Sequence, residues 1–135
     1  MTLMHQADEV LECDLASAVP EALMGRFDLL VSNPPYIPTA VLAHEVPSEV
    51  KDHEPGLALD GGEDGLDVFR RILHVAPQLL ALGGTLCVEL FEGNVHAAAD
   101  LVRAEEGWEC VEVREDLTHR PRVLVAKRKA AQGEA

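Results

Sequence analysis

Residues 27–38 read Phe27-Asp28-Leu29-Leu30-Val31-Ser32-Asn33-Pro34-Pro35-Tyr36-Ile37-Pro38. A short apolar run, partly β-branched, comes after Gly25-Arg26 and stops at a polar step carrying two prolines. Such a run predicts a buried parallel strand rather than a helix segment. Proline lacks a backbone N–H and fixes φ, so Pro34 and Pro35 end the ladder and stiffen the loop beyond it. Each also drives the residue before it towards extended geometry, which holds Asn33 extended at the carboxyl end of the strand. In open α/β sheets that end is where ligands bind.

The groups presented there suit one kind of chemistry. Asn33 Oδ1 and the Pro34 carbonyl are both acceptors, and two converging acceptors hold the two hydrogens of a planar NH2 group. Its nitrogen lone pair is delocalised, so alignment matters more for its attack than a strong base. The ring of Tyr36 offers a flat face to stack on. An ordinary proline-rich turn uses the same residues, but the strand before them and the stretch downstream favour a site.

Asn33-Pro34-Pro35-Tyr36 resembles the motif of S-adenosylmethionine-dependent methyltransferases that modify planar NH2 groups, the adenine-N6 and glutamine-N5 enzymes among them. A second stretch narrows this: His53-Glu54-Pro55-Gly56-Leu57-Ala58-Leu59-Asp60-Gly61-Gly62-Glu63-Asp64-Gly65-Leu66-Asp67. Together with Asn33 to Pro38 it closely resembles the peptide chain release factor glutamine methyltransferases, over about Leu11 to Lys127. A sister branch acting on a ribosomal protein glutamine carries similar motifs. The resemblance implies transfer of a methyl group from S-adenosylmethionine to a glutamine side-chain amide in a release factor. Asn33, Pro34, Pro35 and Tyr36 would bind that amide, and no metal is needed. Asp14 and Leu15, at the end of an expected strand over residues 9–13, would lie beside the cofactor's adenine, with Asn33 also near the cofactor. Asp14 has a second reading as an N-cap for Leu15 to Met24, where Ala16 to Met24 reads as a short helix or an irregular turn interrupted by Pro20. Glu89 matches a family Glu, but Leu90-Phe91 replaces the Ile-Gly pair that comes next there. The enzyme alternative is an adenine-N6 methyltransferase, and the non-enzyme alternative is a truncated paralogue that catalyses nothing.

The fold implied is α/β: a class I, Rossmann-like methyltransferase sheet, seven strands in the order 3-2-1-4-5-7-6. Its cofactor cradle is a glycine-rich loop after strand 1 and an acid after strand 2. No glycine precedes Gly25, so the expectation is a partial sheet lacking strands 1 and 2 and ending in an antiparallel hairpin. Two consequences are expected. The chain alone binds the cofactor weakly and is inactive. The open edge of strand 27–32 pairs with residues 9–13 shifted into the gap, with a missing N-terminal half or with a second chain.

Composition agrees. At 135 residues, 47% hydrophobic and 26% charged, the chain is one domain at most. We place that domain at residues 1–128 and a disordered tail at 129–135. The net charge of −13, with only 11 Lys and Arg, disfavours a nucleic-acid surface and fits a cytoplasmic protein with a protein partner. Cys13, Cys87 and Cys110 are scattered over expected strands and read as buried hydrophobes. The histidines lack metal-ligand spacing. No signal peptide or membrane-spanning run is present.

Further along, Leu66 to Leu82 predicts a helix with Val68, Ile72, Val75, Leu79 and Leu82 inward, capped near Asp64 or Gly65 and stopped by Gly83-Gly84. Thr85 to Leu90 predicts a buried strand. Asn94 to Glu106 predicts an amphipathic helix with Val95, Ala98, Leu101 and Val102 inward. Trp108 to Arg114 and Arg122 to Lys127 predict an antiparallel pair.

Overall fold

The computed structural model describes residues 11, 14–34 and 64–130. The expected strand over 9–13 falls outside them apart from Leu11, as do Pro35, Tyr36, the stretch 53–63 and the end of the tail.

The apolar run forms β1 (Phe27–Ser32). After it come α1 (Asp67–Leu79), β2 (Leu80–Glu89), α2 (Val95–Arg103), β3 (Trp108–Glu115) and β4 (Pro121–Arg128). The sheet order is β1-β2-β4-β3, with β1 and β2 parallel and β4 antiparallel to both its neighbours. This is the 4-5-7-6 portion of the expected seven-strand plan, ending in the expected hairpin. The parallel pair requires a long crossover, and α1 supplies its helix.

α1 begins where Asp64 holds it. Asp64 Oδ1 accepts from the Leu66 N–H at 2.9 Å, and its carboxylate takes the Arg70 guanidinium at 3.1 and 2.5 Å. The first residue before the helix is Leu66, one beyond the expected cap. The Arg70 guanidinium and the Leu66 N–H hold the Asp64 carboxyl down at about 2, from an ordinary 3.8. A depressed folded-state pKa stabilises the fold above the ordinary value and loses that contribution as pH falls through the folded one. Asp64→Asn is therefore expected to flatten the acid limb of a stability profile between pH 3.8 and about 2. The effect is small because both partners are half exposed. Urea midpoints measured across that range check this; an unchanged slope contradicts it.

α1 ends three residues earlier than expected. Leu80 is already extended at ψ 139° and donates the last helical bond to Ala76. Pro77 has no N–H to donate back to Leu73, which weakens the final turn. Pairing then takes over, because Leu80 is registered opposite Phe27. Between that pair and Leu29–Thr85 the β2 side carries three extra residues, and Gly83 turns there at φ +82°. A Cβ on Gly84 would stand 2.9 Å from the Ala81 carbonyl oxygen and 3.0 Å from that of Phe27. Gly83-Gly84 thus lets β2 return against β1; it is not the helix stop.

The core lies on one face of the sheet. Leu86, Val88, Leu124 and Ala126 face both helices and are fully buried. α2 contributes Val95, Ala98, Ala99 and Val102. The buried face of α1 is Phe69, Ile72, Leu73, Ala76 and Leu79, while Val68 and Val75 are half-buried. The stripe is therefore rotated by about one position from the expected one. In β3 the strict alternation also fails. Three residues from Glu109 to Glu112 match two from Lys127 to Val125, and Cys110 takes φ +52°. This bulge turns Val111 and Val113 to the same core as Trp108. Cys110, on this bulge, is exposed, and Cys87 of β2 is half-buried, against the expectation of buried thiols.

On the opposite face, Leu29 and Val31 are 56% and 65% exposed. Among the described residues no strand lies on the outer side of β1.

Candidate functional site

Asn33 comes directly after β1 and is exposed, whereas Pro34 is buried. Ser32 is registered with Val88, so Asn33 comes level with Glu89 at the carboxyl end of β2. Asn33 and Glu89 thus share the end of the parallel pair. The sheet brings a neutral amide and a carboxylate to one edge, with a proline anchored beside them. Glu89 is exposed as well. Pro35 and Tyr36 lie outside the described residues.

Asp14 is not the helix cap of its second reading. No regular helix comes after Asp14: turns lead to a single 3-10 turn, Glu21–Leu23, preceded by Pro20. The N-cap reading therefore fails, because Pro20 interrupts the segment. The Asp14 N–H donates to Ser17 Oγ at 3.0 Å, and the Asp14 carboxylate accepts from Arg71 of α1 at 2.6 Å. Arg71 ties this turn to α1, a contact over 57 residues that sequence spacing does not announce. Leu15 adopts φ +54°.

Leu15 also lines a cavity of about 450 Å³, together with Val19, Leu29, Leu30, Ile72 and Val75. It runs along the side of β1, not across its carboxyl end. Its walls are apolar, with Ser32 the one polar residue among them. A charged, ribose-bearing cofactor needs donors and a carboxylate, which these walls do not offer. A packed strand or helix needs what they do offer. Among the described residues no group of His, Cys, Asp and Glu forms a metal site, and no helix is long and apolar enough to cross a membrane.

Curated relatives match the chain clearly. It is 48% identical over 105 residues to the release factor glutamine methyltransferase of Thermosynechococcus vestitus, covering 78% of this chain and 36% of that protein. It is 49% identical over 106 residues to the enzyme of the same name from Deinococcus radiodurans, covering 78% and 37%. The chain belongs to the release factor glutamine methyltransferase family. It spans little more than a third of the length of these relatives. A solved protein-(glutamine-N5) methyltransferase from Alicyclobacillus acidocaldarius is 26% identical at a TM-score of 0.47, covering 76% of this chain and 49% of that one. No family model matches. Asn33 and Pro34 come directly after a parallel strand, as the apolar run before the two prolines predicts. In the sequence Glu89 stands out as an odd polar residue that matches a family Glu; the register brings it level with Asn33.

Proposed function

We propose that this chain is the substrate-holding part of a methyltransferase domain that moves a methyl group from S-adenosylmethionine to the side-chain amide nitrogen of a glutamine in a peptide chain release factor. One observation carries the reading: Asn33 is exposed at the carboxyl end of the parallel strand β1, with Pro34 buried immediately behind it. In this reading Asn33 Oδ1 and the Pro34 carbonyl accept the two amide hydrogens. That fixes the plane of the amide and turns its nitrogen lone pair out of both bonds. Pro35 and Tyr36 complete the amide pocket, with the Tyr36 ring against the amide plane. The alignment raises the rate because it is preformed and needs no rearrangement as charge develops. A protein substrate and a cytoplasmic setting accord with the charge of −13, which also weighs against an adenine-N6 reaction on nucleic acid.

The described residues do not fit the cofactor by themselves. The cavity beside β1 is apolar, and the Asp14 carboxylate already carries Arg71. We place the cofactor's cradle in the remaining length that the relatives have, with Asp14, Leu15 and Asn33 at its border. The same remaining length, in cis or as a second polypeptide, covers the open edge and apolar face of β1; a second copy of the chain is the alternative occupant.

Calorimetric titration with S-adenosylhomocysteine tests this. The chain alone is expected to bind no more tightly than ~1 mM, that is, with less than about 4 kcal/mol. Joined to the N-terminal region of a relative, it is expected to bind and to methylate a release factor glutamine. Submillimolar binding by the chain alone contradicts the missing cradle. Absence of binding in both forms favours a paralogue that catalyses nothing.

A further inference from the structure

We propose that Glu89 is the counter-charge of the reaction at Asn33: its carboxylate faces the glutamine amide nitrogen, balances the positive charge that builds there and receives the proton the nitrogen must shed. This rests on the glutamine-methylation reading and deepens it, by giving that proton a destination within this chain.

The register sets Glu89 beside Asn33. The parallel ladder runs from Leu29–Thr85 to Ser32–Val88, so Asn33 and Glu89 are the next residues of adjacent strands. Such strands lie about 4.8 Å apart. The two side chains also share a face of the sheet. Val88 and Leu90, on either side of Glu89, are fully buried in the core, while Glu89 itself is exposed. In β1, Leu30 packs on that core and Val31 is 65% exposed. Side chains alternate along an extended strand, and the proline after it keeps Asn33 extended. Asn33 therefore comes out on the Val31 side, as Glu89 does, away from α1 and α2. A glutamate side chain is one methylene longer than an asparagine. From neighbouring positions its carboxylate stands beyond the Asn33 amide, beside a group that Asn33 Oδ1 holds.

The Glu89 carboxylate is also unengaged. Other acidic groups of the sheet's carboxyl edge carry an arginine: Glu92 holds Arg120 at 3.1 Å, Asp116 lies 3.6 Å from Arg122, and Glu112 holds Arg114 at 2.8 Å. Glu89 has the apolar Val123 opposite it on β4, and among the described residues no cation pairs with it.

The chemistry calls for such a group. Methylating a neutral amide nitrogen spends its lone pair on the new N–C bond, while the bond to the sulfonium donor's sulfur breaks and leaves its electron pair there. The nitrogen then carries a methyl group, two hydrogens and a positive charge. Loss of one hydrogen as a proton gives the neutral N-methyl amide. Asn33 Oδ1 and the Pro34 carbonyl hold those hydrogens, but an amide oxygen is a far weaker base than a carboxylate. Glu89 takes the proton, becomes the neutral acid and returns it to water. Its charge is in place before the reaction begins, so no rearrangement is needed as the nitrogen becomes positive.

The test needs no methyl donor. Its probes are a short release factor peptide centred on the target glutamine, and the same peptide with ornithine in that place. Ornithine carries its ammonium at the position of the glutamine amide nitrogen, and so presents the charge without the reaction. Both are titrated into the full chain, wild type, Glu89→Gln and Glu89→Asp. Glu89→Gln is expected to weaken the ornithine peptide about ten-fold, the equivalent of 1.4 kcal/mol, and to leave the glutamine peptide unchanged. Glu89→Asp keeps most of the preference. The same ornithine-to-glutamine affinity ratio in wild type and Glu89→Gln overturns the counter-charge and leaves the substrate reading standing. An equal loss towards both peptides overturns it too, since Glu89 would then act on the shape of the site. No binding of the glutamine peptide by the wild type overturns the substrate reading and the counter-charge with it. In the chain joined to the N-terminal region of a relative, Glu89→Gln is expected to lower kcat about 10²-fold with KM nearly unchanged. An unchanged kcat in an active enzyme removes Glu89 from the reaction.

Discussion

Replacing Asn33 by alanine is expected to lower the turnover of glutamine methylation by about 10²–10³-fold, the usual cost of deleting one preorganised hydrogen-bonding partner of a reacting group. The measurement is made on the chain joined to the N-terminal length its relatives carry. The expected loss lies mainly in kcat. In the proposed reaction Asn33 would orient an amide whose lone pair must be aimed, an interaction that counts in the transition state more than in binding. The fold should be untouched, because Asn33 is exposed and lies beyond the last residue of β1. Far-ultraviolet circular dichroism and the urea midpoint of the variant therefore match the wild type. A loss of less than about ten-fold would remove Asn33 from the reacting centre and leave it a turn residue.

Phe69→Ala is expected to cost about 3–5 kcal/mol of folding stability, the range for emptying a large aromatic from a packed core. Phe69 sits in the first turn of α1, is 0% exposed and belongs to the same cluster as Leu86, Val88 and Leu124. The cluster occupies one face of a four-stranded sheet. Such a loss is large, since a whole domain commonly has only about 5–15 kcal/mol in hand. Leu29→Ala is the matched control. Leu29 is 56% exposed, and its truncation should fall within about 0.5 kcal/mol. Urea unfolding of both variants decides the matter. If Phe69→Ala and Leu29→Ala cost the same, the core is not one-sided.

Much of the architecture was legible in local pattern. The short apolar run before Asn33-Pro34-Pro35 made β1, the period-three and period-four apolar residues made both helices, and Gly107 before Trp108 opened β3. The errors fall where a long-range contact outcompeted a local signal. Gly83-Gly84 looks like a helix stop, yet the helix has ended at Leu79 because Leu80 pairs with Phe27. The alternation from Trp108 to Val113 is broken by a bulge at Cys110, because Trp108, Val111 and Val113 all gain by burial in one core. Asp14 looks like a helix cap, and Arg71, 57 residues away, takes its carboxylate.

The sequence by itself determined the chemistry on offer and its attachment. A strand must end at Asn33 because two prolines cannot continue a ladder, and an amide beside a proline carbonyl presents paired acceptors whatever surrounds it. It also carried the family resemblance that the relatives support. Only the tertiary structure decided what stands next to that amide. Strand order and register put Glu89 level with Asn33. They also left the long side of β1 open and apolar. Those placements depend on which strands pair and in what register, a choice made by burying Leu86, Val88, Leu124 and Ala126 together, and no local run of residues encodes it.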